Sequence, residues 1–368
     1  MKGKKNHLGH LWWCVLFLLA IVPTAGQVSA HDESVVLIVT DGLRWQEVFH
    51  GADVALLDKE HGHVEDPQQI RRDFWRPNEE QRRQALMPFL WNVIAKQGQL
   101  FGDVKEGSRA RVTNGLKFSY PGYNEMLTGK PDARIDSNDF GPNPNLTVFE
   151  WLNRQQELSG KVAAFGTWDA FSRIFNRARC GFPVQAGWEL PAEGESDPEL
   201  IRLYQTTTRT WNDLVYDSFL QSSVIDYLKK HDPRVMFVGY GETDEYAHQG
   251  RYDQVLWSVR RVDAFVEELW NALQSIPAYR NKTSIVLTTD HGRGSGLTEW
   301  RNHGRNVDGA EDIWIAALGP HTAPLGVGVK HISVTQSQIA GTVAALIGYD
   351  FSKSGTNPAP AIFQITEK

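Results

Sequence analysis

Cysteine is almost absent from this sequence, which has two in 368 residues. Cys14 lies in an apolar N-terminal run. If that run is removed, Cys180 remains alone and an internal disulfide is excluded. The chain also has no excess of basic residues. Its formal net charge is −6, so there is no reason to expect a nucleic-acid or anionic-membrane partner. Without disulfides, an exported protein needs a large hydrophobic core, bound metal, or both.

A long apolar run is also missing, except near the N-terminus. Lys2, Lys4 and Lys5 precede the apolar residues 12–23, and small residues at 28–30 follow. This pattern is typical of a signal peptide over residues 1–30. The alternative is an uncleaved anchor, but the run is shorter than the roughly 20 residues that a membrane span needs. We therefore predict export to the periplasm or the exterior, without a stable membrane span after cleavage.

Short β-branched runs alternate with longer amphipathic stretches along the rest of the chain. Continuous apolar runs predict buried strands, and apolar residues at helical spacing predict helices. The strands are predicted at 35–40, 162–165, 235–240, 284–289 and 313–318, and the helices at 86–97, 218–230, 252–273 and 337–347. Alternating strands and helices predict an α/β fold, with a mostly parallel central sheet between two helical layers.

Three of the predicted strands run into acidic residues, namely Asp41, Asp244 and Asp290. A single aspartate in this position is more often the N-cap of a following helix. In a parallel sheet, however, the carboxyl ends of the strands form the ligand-binding edge. Three carboxylates at one edge would repel one another unless cations lay between them. The sequence therefore predicts a metal site there.

Histidines accompany these aspartates. Asp244 and His248 are four residues apart, so a helix places them on one face. His291 directly follows Asp290, and we expect Gly292 to ease the turn there. His303 lies in a later loop; alone, it would more often be a hydrogen-bonded or surface residue. Mixed aspartate and histidine ligands suit Zn²⁺, with Mn²⁺ or Fe as alternatives.

Ser119 opens a predicted helix that ends near Gly129. Serine is a favoured N-cap, so capping is the structural interpretation of Ser119. The same position favours catalysis, because N–H groups at a helix start attract anions. A metal-bound serine hydroxyl is a nucleophile near neutral pH.

These motifs occur in an order that resembles the alkaline phosphatase superfamily, above all its nucleotide pyrophosphatase/phosphodiesterase branch. They are Asp-Gly-Leu-Arg from Asp41, the segment from Ser119 to Gly129, Asp-x-x-x-His from Asp244, Asp-His-Gly from Asp290 and His-Gly from His303. The resemblance implies an alkaline phosphatase-like three-layer sandwich, with residues 31–368 as a single catalytic domain with insertions.

The resemblance also implies two divalent metal ions. Asp41, Asp290 and His291 would hold the ion that activates Ser119, while Asp244, His248 and His303 would hold the second. Asn138 falls near the position of an asparagine that contacts a phosphoryl oxygen in this branch, with Asn143 as a rival. The alternative for both is a turn residue.

Departures from the family pattern reduce the number of reactions that we expect this protein to catalyse. The nucleophile is serine rather than the branch's usual threonine. Ser119-Tyr120-Pro121 is followed by glycine and tyrosine, whereas a formylglycine sulfatase requires arginine at the fifth position. Related mutases act on cytoplasmic metabolites, which the export signal argues against. We expect an exported hydrolase of small phosphoric monoesters or diesters that acts through a phosphoserine on Ser119.

Two alternatives stay open, a hydrolase of sulfate or phosphonate esters and an inactive, metal-stabilised binding protein. Trp168 and Asp169 are candidates to line the substrate pocket, although large rings are more often core. Several cations lie close to the motifs in sequence, and any could contact a phosphate: Arg44, Arg109, Arg111, Lys117, Arg293 and Arg305. Solvent exposure is expected for most of them, whereas Arg44 is a candidate to pack or pair near Asp41. Oligomeric state has no signature in the sequence.

Overall fold

Ten strands in the described part of the chain form two sheets. The computed structural model describes residues 32–191, 194, 196–327 and 332–366, together with residues 1 and 3. The signal peptide predicted for residues 1–30 therefore lies outside the described residues, apart from those two. The strands are β1 (Ser34–Thr40), β2 (Gln99–Phe101), β3 (Arg109–Arg111), β4 (Val162–Gly166), β5 (Val184–Ala186), β6 (Val235–Tyr240), β7 (Thr283–Thr288), β8 (Asp312–Ile313), β9 (Ile315–Leu318) and β10 (Ser333–Thr335).

The larger sheet has seven strands in the order β2-β9-β7-β1-β6-β4-β5. β1 pairs in parallel with both β6 and β7, and β4 pairs in parallel with β6 and β5. β9 runs antiparallel to its neighbours β7 and β2. The mostly parallel central sheet predicted from the sequence is therefore confirmed. The smaller sheet has the order β10-β3-β8.

Helices cover both faces of the large sheet. They are α1 (Trp45–His50), α2 (Pro67–Phe74), α3 (Glu79–Leu86), α4 (Ala95–Gln97), α5 (Ser119–Thr128), α6 (Val148–Asn153), α7 (Phe171–Ile174), α8 (Arg177–Cys180), α9 (Pro198–Thr206), α10 (Asp217–His231), α11 (Glu242–His248), α12 (Tyr252–Ser275), α13 (Gly296–Glu299), α14 (Gln338–Ala345) and α15 (Phe363–Thr366). Short 3₁₀ segments occur at Val54–Leu56, Val104–Glu106 and Phe351–Ser354. Among the described residues, no helix is long and apolar enough to cross a bilayer.

Strand β1 shows how the three layers are held together. Its side chains alternate between the faces of the sheet, as in any strand. Val36 and Ile38 belong to one buried cluster, which includes residues of α3, α10 and α12. Val35, Leu37 and Val39 belong to a second cluster, which includes residues of α5, α6 and α14. Both faces of β1 are therefore buried, which explains its uninterrupted apolar sequence.

Two predicted elements differ from the structure. The apolar run 313–318 is not one strand: it divides at Trp314 into β8 of the small sheet and β9 of the large sheet. The helix predicted over 86–97 is interrupted after α3 and resumes as a π-helical turn at Leu90–Ile94, which continues into α4. Pro88 follows the end of α3, and proline cannot donate the backbone hydrogen bond that a continuous helix needs.

Candidate functional site

Four neighbouring strands of the large sheet end at the same edge, and polar residues follow each of them. Asp41 comes directly after β1, Asp290 lies two residues after β7, and Asp244 lies in the first turn of α11 after β6. Trp168 and Asp169 follow β4. Because these strands are adjacent and parallel, their carboxyl ends bring the four segments together.

One group of candidate ligands is buried at the centre of this edge. Asp41, Asp290 and His291 each place a ligand atom within 4.8 Å of the other two. His291 Nε2 lies 3.4 Å from Asp41 Oδ1 and 3.6 Å from Asp290 Oδ2. Asp290 is fully buried, and its Oδ2 has no hydrogen-bond partner among the described residues. A buried carboxylate oxygen without a partner is costly unless a cation binds it.

A second group lies nearer to solvent. Asp244, His248 and His303 also place ligand atoms within 4.8 Å of one another. His248 Nε2 lies 3.1 Å from Asp244 Oδ2 and 2.9 Å from His303 Nε2. Asp244 Oδ1 lies 3.8 Å from His303 Nε2 and also 3.8 Å from His291 Nε2. The two groups therefore meet at Asp244.

The pKa values of the candidate ligands are shifted in different directions in the two groups. Burial and the neighbouring Asp41 raise the pKa of Asp290. For His291, burial is outweighed by the carboxylates of Asp290 and Asp41, which raise the pKa to about 9. For His303 and His248, burial and the nearby His291 lower the pKa. The imidazoles of His303 and His248 are thus neutral near pH 7, the form in which histidine binds metals.

Ser119 lies beside the buried group of candidate ligands. Its hydroxyl is 3.5 Å from Asp41 Oδ1 and 3.4 Å from His291 Nε2. The N-cap of α5 is Phe118, not Ser119, so the capping interpretation of the serine is wrong. A Cβ on Gly122 would lie 2.4 Å from the Asp290 carbonyl oxygen. Glycine at this position therefore lets the nucleophile helix pack directly against the strand-end backbone.

The start of α5 offers fewer free backbone N–H groups for binding an anion than the sequence predicts. Tyr120 N–H donates to Asn138 Oδ1 at 3.0 Å, and Gly122 N–H donates to the Phe118 carbonyl. Pro121 has no N–H. Of the first four residues of the helix, only Ser119 itself has an amide that is not committed in this way.

The structure separates the two candidate asparagines. Asn138 lines the same cavity as Ser119, and its Oδ1 accepts a hydrogen bond from Tyr120 N–H. Asn143 is fully buried and donates to Asn124 Oδ1 at 3.3 Å. Of the two asparagines, only Asn138 is among the residues that line this cavity.

Several residues that contact the candidate ligands were not identified from the sequence. Tyr123 is buried and donates through its hydroxyl to Asp41 Oδ2 at 3.1 Å. It lies one helical turn after Ser119, a spacing that could have indicated it. Lys117 has a φ of +57°, and its carbonyl oxygen lies 3.3 Å from His303 Nδ1. Left-handed lysine is uncommon, and sequence alone does not reveal it.

Gly292 has a different role from the one expected. It is not among the glycines with positive φ. A Cβ there would lie 2.2 Å from the Asp312 carbonyl oxygen. This glycine permits a close backbone approach and not an unusual turn.

The nearby cations have mostly structural partners. Arg44 pairs with Glu47, and Lys117 Nζ lies 3.0 Å from Glu311 Oε2. Arg305 is exposed. Arg293 is buried and its guanidinium forms an ion pair with Asp244, so the expectation of solvent exposure is wrong for this residue.

A cavity of about 420 Å³ opens over Ser119. Its lining includes residues from both ligand groups and from the segments that follow β4 and precede α10: Asp41, Ser119, Asn138, Asp139, Trp168, Asp169, Arg173, Asp213, Leu214, Gly241, Asp244, Glu245, His248 and His303. Trp168 and Asp169 thus both line the cavity, and Trp168 also packs against the second buried cluster, so the pocket and core interpretations of this residue both hold. This volume suits a small-molecule ligand.

The sequence model of the type I phosphodiesterase / nucleotide pyrophosphatase family matches residues 63–314, more than half of the chain. The chain belongs to this family. The family lies within the alkaline phosphatase superfamily of hydrolases, whose members use divalent metals, so the superfamily expected from the motifs is confirmed.

Solved structures of this superfamily share the fold. A Bacteroides thetaiotaomicron protein provisionally assigned as a sulfatase aligns with a TM-score of 0.61, at 13% identity, over 92% of this chain and 75% of its own. The lipoteichoic acid synthase LtaP of Listeria monocytogenes aligns at 0.55, with 11% identity, over 87% and 73%. Phosphonate monoester hydrolase of Agrobacterium radiobacter aligns at 0.51, with 14% identity, over 86% and 74%.

One curated relative is a 2,3-bisphosphoglycerate-independent phosphoglycerate mutase of Gracilaria tenuistipitata var. liui. It is 23% identical over 116 residues, which are 32% of this chain and 22% of the mutase. The match spans less than a quarter of that enzyme, so its activity is not carried over to this protein.

Proposed function

We propose that this protein is an exported, metal-dependent hydrolase of phosphoric monoesters or diesters that acts through a phosphoserine intermediate on Ser119. The observation that carries the proposal is the position of the Ser119 hydroxyl. It lies within 3.5 Å of both Asp41 and His291, in a cavity whose lining includes residues of both groups of candidate ligands. Cleavage of the predicted signal peptide would place the enzyme in the periplasm or outside the cell.

The donor atoms suit two divalent ions, Zn²⁺ with Mn²⁺ or Fe as alternatives. Asp41, Asp290 and His291 would hold one, and Asp244, His248 and His303 the other. The partnerless Asp290 Oδ2 and the converging histidine nitrogens fit this assignment. When bound, such ions act as Lewis acids and favour the ionised form of a serine hydroxyl.

The protein's own groups then have defined roles. Ser119 Oγ forms a bond to phosphorus while the bond from phosphorus to the leaving oxygen breaks, and the proton lost by the serine hydroxyl is balanced by the proton gained by the departing alcohol. Water subsequently cleaves the Oγ–P bond, releasing phosphate or a phosphate monoester and restoring the hydroxyl. Asn138 Oδ1 accepts from Tyr120 N–H, which leaves its Nδ2 to donate to a non-bridging oxygen. Such a preorganised donor stabilises charge that develops in the transition state.

Sulfate and phosphonate esters are the second candidate substrates, since the structural neighbours include enzymes named for both. The residue at the fifth position of the serine motif weighs against a formylglycine sulfatase. Tyr123 occupies it, is buried, and hydrogen-bonds to Asp41. An unmodified serine is compatible with phosphoryl transfer.

Hydrolysis of four chromogenic esters tests the proposal: p-nitrophenyl phosphate, bis-p-nitrophenyl phosphate, p-nitrophenyl sulfate and p-nitrophenyl phenylphosphonate. We expect activity on at least one of the first two that is lost with chelator and restored by Zn²⁺. The ratio of the first two rates assigns monoesterase or diesterase. Activity on the sulfate or phosphonate alone would contradict the phosphoric-ester assignment, and no turnover despite bound metal would favour a binding protein.

A further inference from the structure

One wall of the cavity over Ser119 is built from two paired chain segments. Trp168 and Leu214 form an isolated antiparallel bridge, and Asp169 N–H donates to the Asp213 carbonyl oxygen at 2.8 Å. The pairing is extended by Val215 N–H, which donates to the carbonyl oxygen of the residue before Trp168 at 2.9 Å. It holds the carboxylates of Asp169 and Asp213 and the indole of Trp168 in the lining of one cavity.

Negative charge dominates the outer part of this cavity. Besides Asp169 and Asp213, its lining includes Asp139 and Glu245, whereas Arg173 is the one lysine or arginine among the described lining residues. Arg173 Nη1 lies 3.9 Å from Asp169 Oδ1, a distance at the limit of an ion pair. The outer cavity thus has four carboxylates for one guanidinium, apart from the candidate metal ligands.

These carboxylates also repel one another. Burial raises the pKa of Asp169 against the effect of Arg173, and Asp213 raises it further. A ligand with positive charge would relieve this repulsion, whereas a ligand with a second phosphate would add to it. Trp168, partly exposed in the same wall, offers a ring face that attracts ammonium groups.

We propose that the leaving group of the natural substrate carries an ammonium group, so that the substrate is a phosphoric ester of an amino alcohol. The inference rests on the proposed hydrolysis at Ser119. In the reaction the bond from phosphorus to the alcohol oxygen breaks, and the amino alcohol departs with its ammonium group intact. Water supplies the hydroxyl to phosphorus and the proton to the alcohol, so no other reactant is needed.

Two esters of nearly equal size test the charge preference. 2-Aminoethyl phosphate and 2-hydroxyethyl phosphate differ in one terminal group, ammonium or hydroxyl. For a diesterase, the methyl esters of both serve in the same way, with release of the alcohol as the readout. We expect kcat/KM to be about tenfold higher for the amine, the combined size of exposed ion pairs and one cation–π contact. The preference should decrease as salt is raised.

The variant Asp169→Asn/Asp213→Asn should bring the ratio of the two kcat/KM values close to one, because hydrolysis of the aminoethyl ester loses its advantage. Asp232→Asn is the matched control, because Asp232 is exposed, precedes β6 at the opposite edge of the sheet, and has a left-handed backbone that asparagine accepts. The Asp232→Asn variant should keep the full preference for the aminoethyl ester.

The possible outcomes distinguish failure of the amino-alcohol inference from failure of the proposed hydrolase function. Equal or faster hydrolysis of the hydroxyethyl ester by the wild-type protein would overturn the amino-alcohol inference while leaving the hydrolase intact. A preference that persists unchanged in the double variant would overturn the assigned wall. No hydrolysis of these esters or of the p-nitrophenyl phosphates would overturn the proposed function itself, and with it the inference.

Discussion

Arg293 forms a buried ion pair with Asp244. Its guanidinium also donates to the carbonyl oxygens of Gly42, at 3.1 Å, and of Arg301. One side chain therefore ties a candidate ligand in α11 to the turn after Asp41 and to the loop that carries His303. We infer that Arg293 positions both ligand groups, although it is not among the residues that line the cavity.

Replacing this arginine should weaken metal binding. Arg293→Met removes the bonds to Asp244 and to the two loops, and we expect Zn²⁺ affinity to decrease about 10- to 100-fold, as for other groups that support metal ligands. Equilibrium dialysis with elemental analysis measures it, independently of activity. Arg293→Lys should be intermediate, since lysine keeps the charge but not the fork of donors. Arg305→Met, at an exposed position nearby, should bind metal normally. Wild-type affinity in Arg293→Met would contradict the assigned role.

Tyr123→Phe should reduce activity without unfolding the protein. The variant loses only the hydroxyl that donates to Asp41 Oδ2, and we expect kcat to decrease about tenfold because Asp41 is no longer oriented. Tyr120→Phe is the control on the same helix, since its hydroxyl donates to the Gly141 carbonyl oxygen and not to a candidate ligand. If both variants had the same kcat, the orienting role of Tyr123 would be wrong.

The two asparagines should respond differently to substitution. Asn138→Ala removes the proposed donor and should lower kcat about 100-fold. Asn138→Asp restores the acceptor for Tyr120 N–H but not the donor, so it should stay impaired. Asn143→Ala should instead lower the free energy of unfolding, by about 1–3 kcal/mol for a disrupted buried hydrogen bond, with kcat little changed. Urea denaturation and steady-state kinetics on all three variants check this, and the reverse pattern would make Asn143 the substrate contact.

Metal removal should make stability depend on pH. Burial and Asp41 raise the pKa of Asp290 from its ordinary value of 3.8 to about 8. The metal-free folded protein then binds more protons than the unfolded chain between about pH 4 and 8. Stability from this group is fully present below that window and is lost as the pH rises through it. His291, whose pKa is raised from 6.5 to about 9, acts in the same direction.

Urea denaturation of the chelated protein should therefore show lower stability at pH 8.5 than at pH 5.5, and Zn²⁺ should reverse the loss. In Asp290→Asn the difference between the two pH values should be smaller, because the residue no longer titrates. An identical pH dependence in the variant and the wild type would show that Asp290 is not the source.

Whether a feature of the fold or the site could be predicted from the sequence depends on how far apart in the sequence the interacting residues lie. The strand β1 and the helix α12 follow from patterns within a few residues, and the structure has both close to the predicted bounds. The adjacency of Asp41, Asp244 and Asp290 follows from one further rule, that parallel strands end at a common edge. The division of the run 313–318 could not be predicted, because its residues are buried in both sheets and their apolar pattern does not change at Trp314.

The supporting residues were harder to predict for a different reason. Arg293 acts through tertiary contacts with Asp244 and Gly42, which are about 50 and 250 positions away in the sequence, and no local pattern indicates a buried arginine. The wall formed by Trp168 and Leu214 likewise depends on pairing between segments separated by about 45 residues. Motifs with regular spacing could be identified from the sequence, whereas long-range partners required the fold.

The most direct test of the central claim is to quench turnover in acid and search the Ser119 peptide for a phosphoryl group by mass spectrometry, in the metal-saturated wild-type protein and in Ser119→Ala. We predict a phosphorylated serine at position 119 of the wild type, and in the variant the loss of turnover with both metal ions still bound. Wild-type turnover by the metal-saturated Ser119→Ala protein would contradict the covalent mechanism.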